Sequence, residues 1–316
     1  MTEMRYRRLG ESGLTVSVVG LGCNNFGTRL DRDGTRAVVD AAIDEGITLF
    51  DTADIYGDSE EFLGDALQGR GDEVVLATKF GSDLRGALGA DWGARASRRY
   101  IRRAVERSLR RLRTDHIDLY QLHTPDRATP MEETSTALGE LVAEGKVRYV
   151  GSSNLAAWQV ADADWIARTA GLPRFVSAQN HYSLLERGVE AELVPACERY
   201  GIGILPYFPL ASGLLTGKYR RGEEAPTGTR LAQRPERLAA ADFDVIEKLE
   251  AYAGERGISM LHLAIGGLAA QPAVASVIAG ATKPEQVRAN VAAGAWQPTT
   301  DELAALDEIA PTRRRD

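Results

Sequence analysis

Residues Val74–Phe80 read VVLATKF, a run that is apolar on both faces and ends beside a lysine. Strict apolar–polar alternation would mark a half-exposed strand. An unbroken β-branched run marks a parallel strand covered on both sides. Lys79 in such a strand needs a partner, because an unpaired buried ammonium is too costly to keep. Outward from this run the same kind of segment recurs at Val18–Cys23, Thr48–Ala53, Asp118–His123, Val147–Ser152, Phe175–Asn180, Gly203–Phe208 and Ala275–Ala279. Helical apolar spacing fills the gaps, as in Thr35–Glu45, Ser97–Leu112, Met131–Glu144 and Val189–Tyr200. In Ser97–Leu112 the residues Ile101, Val105, Leu109 and Leu112 share one face, Arg102, Arg103, Arg107, Arg110 and Arg111 cover the rest, and Ser97 is the expected N-cap.

Eight strand candidates, each followed by helix, predict an α/β chain folded as a (β/α)8 TIM barrel. A doubly wound sheet is disfavoured because no strand runs straight into a Gly-rich phosphate turn and a helix. The barrel carries additions. Arg7–Gly10 and Leu14–Val19, around Glu11-Ser12-Gly13, predict an N-terminal hairpin. Leu210–Leu238, rich in Gly, Arg and Pro, predicts a long loop after strand seven. Extra helices are expected at Ala239–Arg256, before a helix at Ser259–Ala270, and at Asp301–Ile309. With no internal repeat, low-complexity tract or linker, residues 1–316 read as a single domain.

Composition excludes several classes. A net charge of −7, from 38 Lys+Arg against 45 Asp+Glu, argues against nucleic acid or an anionic membrane as partner. The start, MTEMRYRRLGESG, has no apolar core of signal-peptide length, and no stretch approaches the ~18 apolar residues of a membrane helix. Two cysteines, Cys23 and Cys197, are too few for a disulfide framework or a zinc site, so a cytoplasmic protein without a metal is expected. Only five of the 38 basic residues are lysines, so each lysine calls for a role.

In a barrel of this kind the chemistry gathers at the C-terminal ends of the strands. Strand two ends in Asp51 with Tyr56 just beyond, strand three contains Lys79, and strand four ends in His123. Each alone has a structural reading: a turn-forming Asp, a packing Tyr, a satisfied core His. Together at one rim they suit proton delivery to a carbonyl oxygen. A free phenol near pKa 10 is a poor acid at neutral pH. A neighbouring ammonium lowers that pKa, a carboxylate holds the ammonium, and an imidazole orients the carbonyl. The set lacks an electron source, so a hydride donor must come from a cofactor.

These residues lie in FDTADIYG (Phe50–Gly57), ATKFG (Ala77–Gly81) and IDLYQLH (Ile117–His123). VRYVGSSN (Val147–Asn154), SAQNHYSLL (Ser177–Leu185), YFPLASGLLTGKY (Tyr207–Tyr219) and IAGATKPEQVRANV (Ile278–Val291) follow. In that order, and covering Arg7 to Trp296, they resemble the aldo-keto reductases, being similar to bacterial members and to the branch containing β subunits of voltage-gated potassium channels. The resemblance implies a catalytic tetrad of Asp51, Tyr56, Lys79 and His123, with Tyr56 as general acid in reduction. It implies that Ser153, Asn154 and Gln179 grip a nicotinamide carboxamide and that the ring stacks on Tyr207. Leu210, Ser212, Gly213 and Lys218 match the pyrophosphate loop, and Gly280, Thr282, Lys283, Gln286 and Asn290 match the adenosine 2′-phosphate segment. The chain departs from the best-known members, which carry Lys at the position of Gly280 and Arg at that of Gln286. Lys283 or Arg288, with the N–H groups of the last barrel helix, is then expected to supply the charge, and NADP(H) is favoured over NAD(H).

Substrate choice is expected in the loops. Asn25 and Phe26 after strand one, and Trp92 in the Ser82–Ala96 loop, are the candidate pocket residues, with Asp83 and Arg85 adding polarity to that loop. The charged tail after Ile309 is too short to cover the site, so an open pocket accepting a range of small aldehydes or ketones is expected. Two other readings stand beside carbonyl reduction: a nicotinamide-binding regulatory or redox-sensing subunit, and a Schiff-base aldolase using Lys79. An Asp51 partner argues against the last, because a nucleophilic lysine must be neutral.

Overall fold

The computed structural model describes residues 4–312, so residues 313–316 of the short charged tail lie outside the described residues. A hairpin comes first, β1 (Tyr6–Arg8) antiparallel to β2 (Thr15–Ser17). Eight parallel strands follow: β3 (Val19–Gly22), β4 (Leu49–Asp51), β5 (Val75–Phe80), β6 (Ile117–Leu122), β7 (Val147–Ser153), β8 (Phe175–Gln179), β9 (Gly203–Ile204) and β10 (Val277–Gly280). Each pairs with the next in chain order, β10 pairs with β3, and bridges from Ile204 to Val274 and from Tyr207 to Ile278 bring β9 against β10. This is the (β/α)8 barrel that the alternating segments predict.

The helices lie outside the strands: α1 (Arg32–Asp44), α2 (Ser59–Ala66), α3 (Arg98–Leu112), α4 (Met131–Ala143), α5 (Ala157–Ala170) and α6 (Leu193–Tyr200). Beyond β9 come α7 (Pro235–Ala239), α8 (Phe243–Glu255) and a π turn at His262–Gly266 running into α9 (Gly267–Ala269). Then α10 (Pro284–Gly294) follows β10, and α11 (Thr300–Ile309) closes the chain. Ser97 caps α3, its side chain accepting from the Tyr100 N–H.

The three boundaries that differ most from the sequence reading have local causes. The helix expected from Val189 starts at Leu193, because Pro195 has no N–H and fits only in a first turn. The strand expected over Gly203–Phe208 stops at Ile204 and continues as isolated bridges, since Pro206 cannot donate to the ladder. The helix expected from Ala239 starts at Phe243, where the Asp242 side chain caps α8 through the Val245 N–H, and the end of the expected loop forms the short α7 opened by Pro235.

Alternation along the strands creates two layers inside the barrel. Leu49, Ala77 and Leu119 form the lower one with Leu205, and Leu9 and Val16 from the hairpin region pack against them. Two residues further along each strand stand Asp51, Lys79 and Gln121, which the period of two places in the layer above. The apolar floor excludes water beneath the polar layer.

Where α2 meets the C-terminal end of α3, the backbones nearly touch. A Cβ on Gly64 would lie 2.6 Å from the Leu112 carbonyl oxygen and 2.7 Å from that of Arg111. Gly64→Ala gains about 1 kcal/mol in helix propensity. It is nevertheless expected to lose a net ~1–3 kcal/mol in urea unfolding, because backbone cannot move aside as a side chain can. A more stable variant would overturn this packing account.

Candidate active site

The upper layer centres on Lys79 and Asp51. Lys79 Nζ donates to Asp51 Oδ2 at 2.6 Å and to the Thr52 carbonyl at 2.8 Å. Asp51 Oδ1 accepts from Gln179 Nε2 at 2.8 Å and from Gln121 Nε2 at 3.2 Å. Both charged side chains are buried, so these contacts replace their hydration. The ammonium also lies 5.1 Å from the centroid of the Tyr56 ring. Burial alone would lower the Lys79 pKa, but Asp51 and Tyr56 hold it above the ordinary lysine value.

Tyr56 sits on the turn after β4, its N–H donating to the Ala53 carbonyl at 3.1 Å. Burial pushes its phenol above the ordinary value, and the downward pull of Lys79 is opposed by Asp51. Lys79 does pull the phenol down, as expected, but burial is the larger effect and Asp51 adds to it, so the net shift is upward. His123 follows β6, held by its N–H to the Phe80 carbonyl at 2.8 Å, with its ring 5.7 Å from that of Tyr56 and nearly perpendicular to it. Burial, and then Lys79, push its pKa down to about 3, so the imidazole is neutral at working pH.

Asp51, Tyr56 and His123 line a cavity of ≈ 610 Å³. Ser153, Asn154, Gln179 and Tyr207 line it too, and their contacts interlock. Asn154 donates to the His123 carbonyl at 2.9 Å and to Ser153 Oγ at 3.0 Å, and accepts from the Tyr207 hydroxyl at 2.8 Å. His181 stacks on Tyr207, centroids 5.4 Å apart. Leu210, Ser212, Gly213 and Lys218 form a further stretch of wall. There Ala211, Ser212 and Gly213 have φ of 46°, 60° and 96°, a succession that forms a concave backbone turn. A Cβ on Gly213 would lie 2.8 Å from the Lys218 side chain.

Gly280, Thr282, Gln286 and Asn290 also border the cavity. Gln286 Oε1 accepts from the Thr282 N–H at 2.7 Å, so this glutamine caps the turn into α10. Lys283 is exposed and does not line the cavity, and Arg288 faces Glu45 at 3.5 Å. Of the three expected pocket residues, Asn25 alone reaches the cavity. Phe26 is fully buried in the layer between barrel and helices, because its N–H closes a turn onto the Cys23 carbonyl. Trp92 is 80% exposed, on a loop that runs out to the surface beside Arg99.

A family model described as the aldo/keto reductase family matches residues 18–311. The chain belongs to the aldo/keto reductase family. It is 37% identical to the uncharacterized oxidoreductase YrpG of Bacillus subtilis, over 98% of this chain and 96% of that protein. Identity to the L-glyceraldehyde 3-phosphate reductase of Escherichia coli K12 is 34%, over 97% and 92%. Identity to a probable voltage-gated potassium channel subunit beta of Oryza sativa is 36%, over 92% and 91%.

Sequence reasoning missed several residues of this aldo/keto reductase site. Gln121 was legible: it stands at the second step of the inward series Leu119, Gln121, His123. Arg29 and Arg230 were not, because only the folded loops bring them to the cavity. Arg230 donates to Asn25 Oδ1 at 3.2 Å and Arg29 to the Gly228 carbonyl at 2.6 Å. Neither has a carboxylate partner among the described residues, where Asp51 is the one carboxylate lining the cavity.

Asp54, between Asp51 and Tyr56, is 2% exposed and neither carboxyl oxygen has a hydrogen-bond partner. Burial, then Glu60, raise its pKa from 3.8 to about 8, against the opposing pull of Arg107 and Lys79. The native state therefore binds one proton more than the unfolded chain between those values, and its stability falls as pH rises through that window. Asp54→Asn, which cannot ionise, is expected to match the wild type at pH 3.5. Its advantage in melting temperature should widen up to about pH 8 and then stay constant. A pH-independent difference would show that Asp54 is not held protonated.

Proposed function

We propose that this chain reduces small aldehydes and ketones to alcohols with NADPH, reversibly, as one barrel domain in the cytoplasm. The observation that carries the reading is the convergence of Asp51, Tyr56 and His123 on one cavity, with Lys79 paired directly behind. The nicotinamide, when bound, supplies the hydride. Tyr56 gives its phenolic proton to the carbonyl oxygen, and Lys79 stabilises the phenolate left behind. Asp51, gripped by Gln121 and Gln179, fixes Lys79, while neutral His123 offers a hydrogen bond that orients the carbonyl. The relative named L-glyceraldehyde 3-phosphate reductase supports this class of chemistry.

The residues present fit the cofactor. Ser153, Asn154 and Gln179 would hold its carboxamide and Tyr207 its ring. The left-handed run at residues 211–213 with Lys218 would hold its diphosphate, and Asn290 and Thr282 its adenosine end. Gln286 already caps the Thr282 N–H and Lys283 points elsewhere, so we assign the charge that favours NADP(H) over NAD(H) chiefly to Arg230 and Arg29. Two unpaired guanidinium groups at the cavity are what a phosphate needs. Arg230→Ala is expected to weaken NADPH binding by about tenfold in a fluorescence titration. Lys283→Ala should change it little, and the reverse order would return the contact to Lys283.

Tyr56→Phe should cost roughly 10²–10⁴-fold in turnover while NADPH still binds, and loss of binding instead would remove the acid role. With Tyr56 raised above 10.0 and His123 neutral above about 3, reduction should run flat from pH 5 to 9. Alcohol oxidation, which needs the phenolate, should climb toward alkaline pH. A limb near 6.5 in reduction would overturn these protonation states. The channel-subunit relatives favour a second reading, a redox-sensing subunit. A protein that binds NADPH but oxidises none of it with reactive aromatic aldehydes would support that reading.

A further inference from the structure

His123 has two ring nitrogens and, being neutral, one N–H to share between them. Nδ1 is 3.0 Å from the hydroxyl oxygen of Ser82, the second residue beyond β5. Both partners are held by their main chains. The Ser82 carbonyl accepts the Tyr100 hydroxyl of α3 at 3.0 Å. His123 is tied to the Phe80 carbonyl through its N–H and to Asn154 through its own carbonyl. Ser82 is buried, and its hydroxyl has no other hydrogen bond among the described residues. Nε2 is the nitrogen left for the cavity.

The contact can be satisfied in two ways. If Ser82 accepted, the proton would sit on Nδ1, and Nε2 would turn a lone pair toward a carbonyl oxygen that also carries lone pairs. If Ser82 donates, the proton sits on Nε2 and points at that oxygen. Only the second arrangement orients a carbonyl, and the bond made by one ring nitrogen decides what the other carries.

We propose that Ser82 is a positioning residue whose hydroxyl donates to His123 Nδ1 and so keeps the imidazole proton on Nε2, facing the substrate oxygen. The proposal rests on the carbonyl-reductase reading of the site. It assigns a specific task to the first residue of a loop otherwise read for substrate choice. The hydroxyl supplies no proton to the reaction. Its effect is on which nitrogen of a neutral ring carries one.

The test combines spectroscopy with kinetics on the full chain. Long-range ¹H–¹⁵N correlation spectra of the histidines, four in the chain, distinguish the two tautomers, and His123→Gln identifies the signal. In the wild type and in Ser82→Thr, Nε2 should be protonated and Nδ1 bare. Ser82→Ala and Ser82→Val should show a mixed tautomer. Their kcat with an aromatic aldehyde should fall by roughly tenfold, the effect of one lost hydrogen bond in a desolvated site, with the KM for NADPH unchanged. Ser82→Thr should restore most of that rate, and Val, its near-isostere, should not. A wild-type spectrum with Nδ1 protonated would overturn the proposal, as would an unchanged spectrum and rate in Ser82→Ala. The spectra are read on the free protein, so they decide the tautomer even if no carbonyl is turned over. That last result would overturn the reductase reading and, with it, the catalytic task given to Ser82.

Discussion

Much of this molecule is arranged around one buried ion pair. Lys79 and Asp51 face each other inside the barrel at 2.6 Å, with two glutamine amides on the remaining carboxylate oxygen. Removing either charge would leave the other in a medium that cannot solvate it, so the pair forces its surroundings to be polar and precise. The apolar layer below supports it by keeping water out, which is where Leu9 and Val16 of the hairpin region contribute. Above it, the pair meets Tyr56 and so links the stability of the barrel to the protonation of the group at the cavity.

Around the pair, burial rather than charge sets the direction of the local electrostatics. Lys79 does pull the Tyr56 phenol down, yet burial outweighs it and the Asp51 carboxylate adds to the upward push. Burial thus keeps Tyr56 protonated, and burial together with Lys79 keeps His123 neutral. Positive charge that can act on an anion lies elsewhere, on Lys218, Arg230 and Arg29, none of which has a carboxylate partner among the described residues. An acidic chain thus presents a basic cavity. Asp54 is the counter-case: a carboxyl placed near the pair with no cation assigned to it, kept neutral by its surroundings.

Local signals carried far. The β-branched runs located the eight strands to within a few residues, since buried parallel strands leave no alternative composition, and Ser97 marked the start of α3 because a cap is a local hydrogen bond. Asp51, Lys79 and His123 near strand ends, with Tyr56 in the loop beyond β4, drew attention by residue type and position together. The failures share a cause. Pro195 and Pro206 shifted boundaries through missing donors that apolar periodicity does not register. Phe26 and Trp92 were assigned to the pocket by residue type, and the turn at Cys23 and the course of the Ser82–Ala96 loop sent one inward and the other out.

By itself the sequence determined the barrel, the order of its strands and the residue types at one rim, because hydrophobic period and strand-end chemistry are properties of neighbours along the chain. The Lys79–Asp51 pair was already expected from neighbouring strands, but only the tertiary structure decided which amides grip it and which other charges are left for a ligand. Asp51 engages Gln121 and Gln179 from strands 70 and 128 residues away, and Arg230 crosses 205 residues to reach Asn25. Contacts at such separations depend on barrel closure and loop path, and no local pattern of residues encodes them.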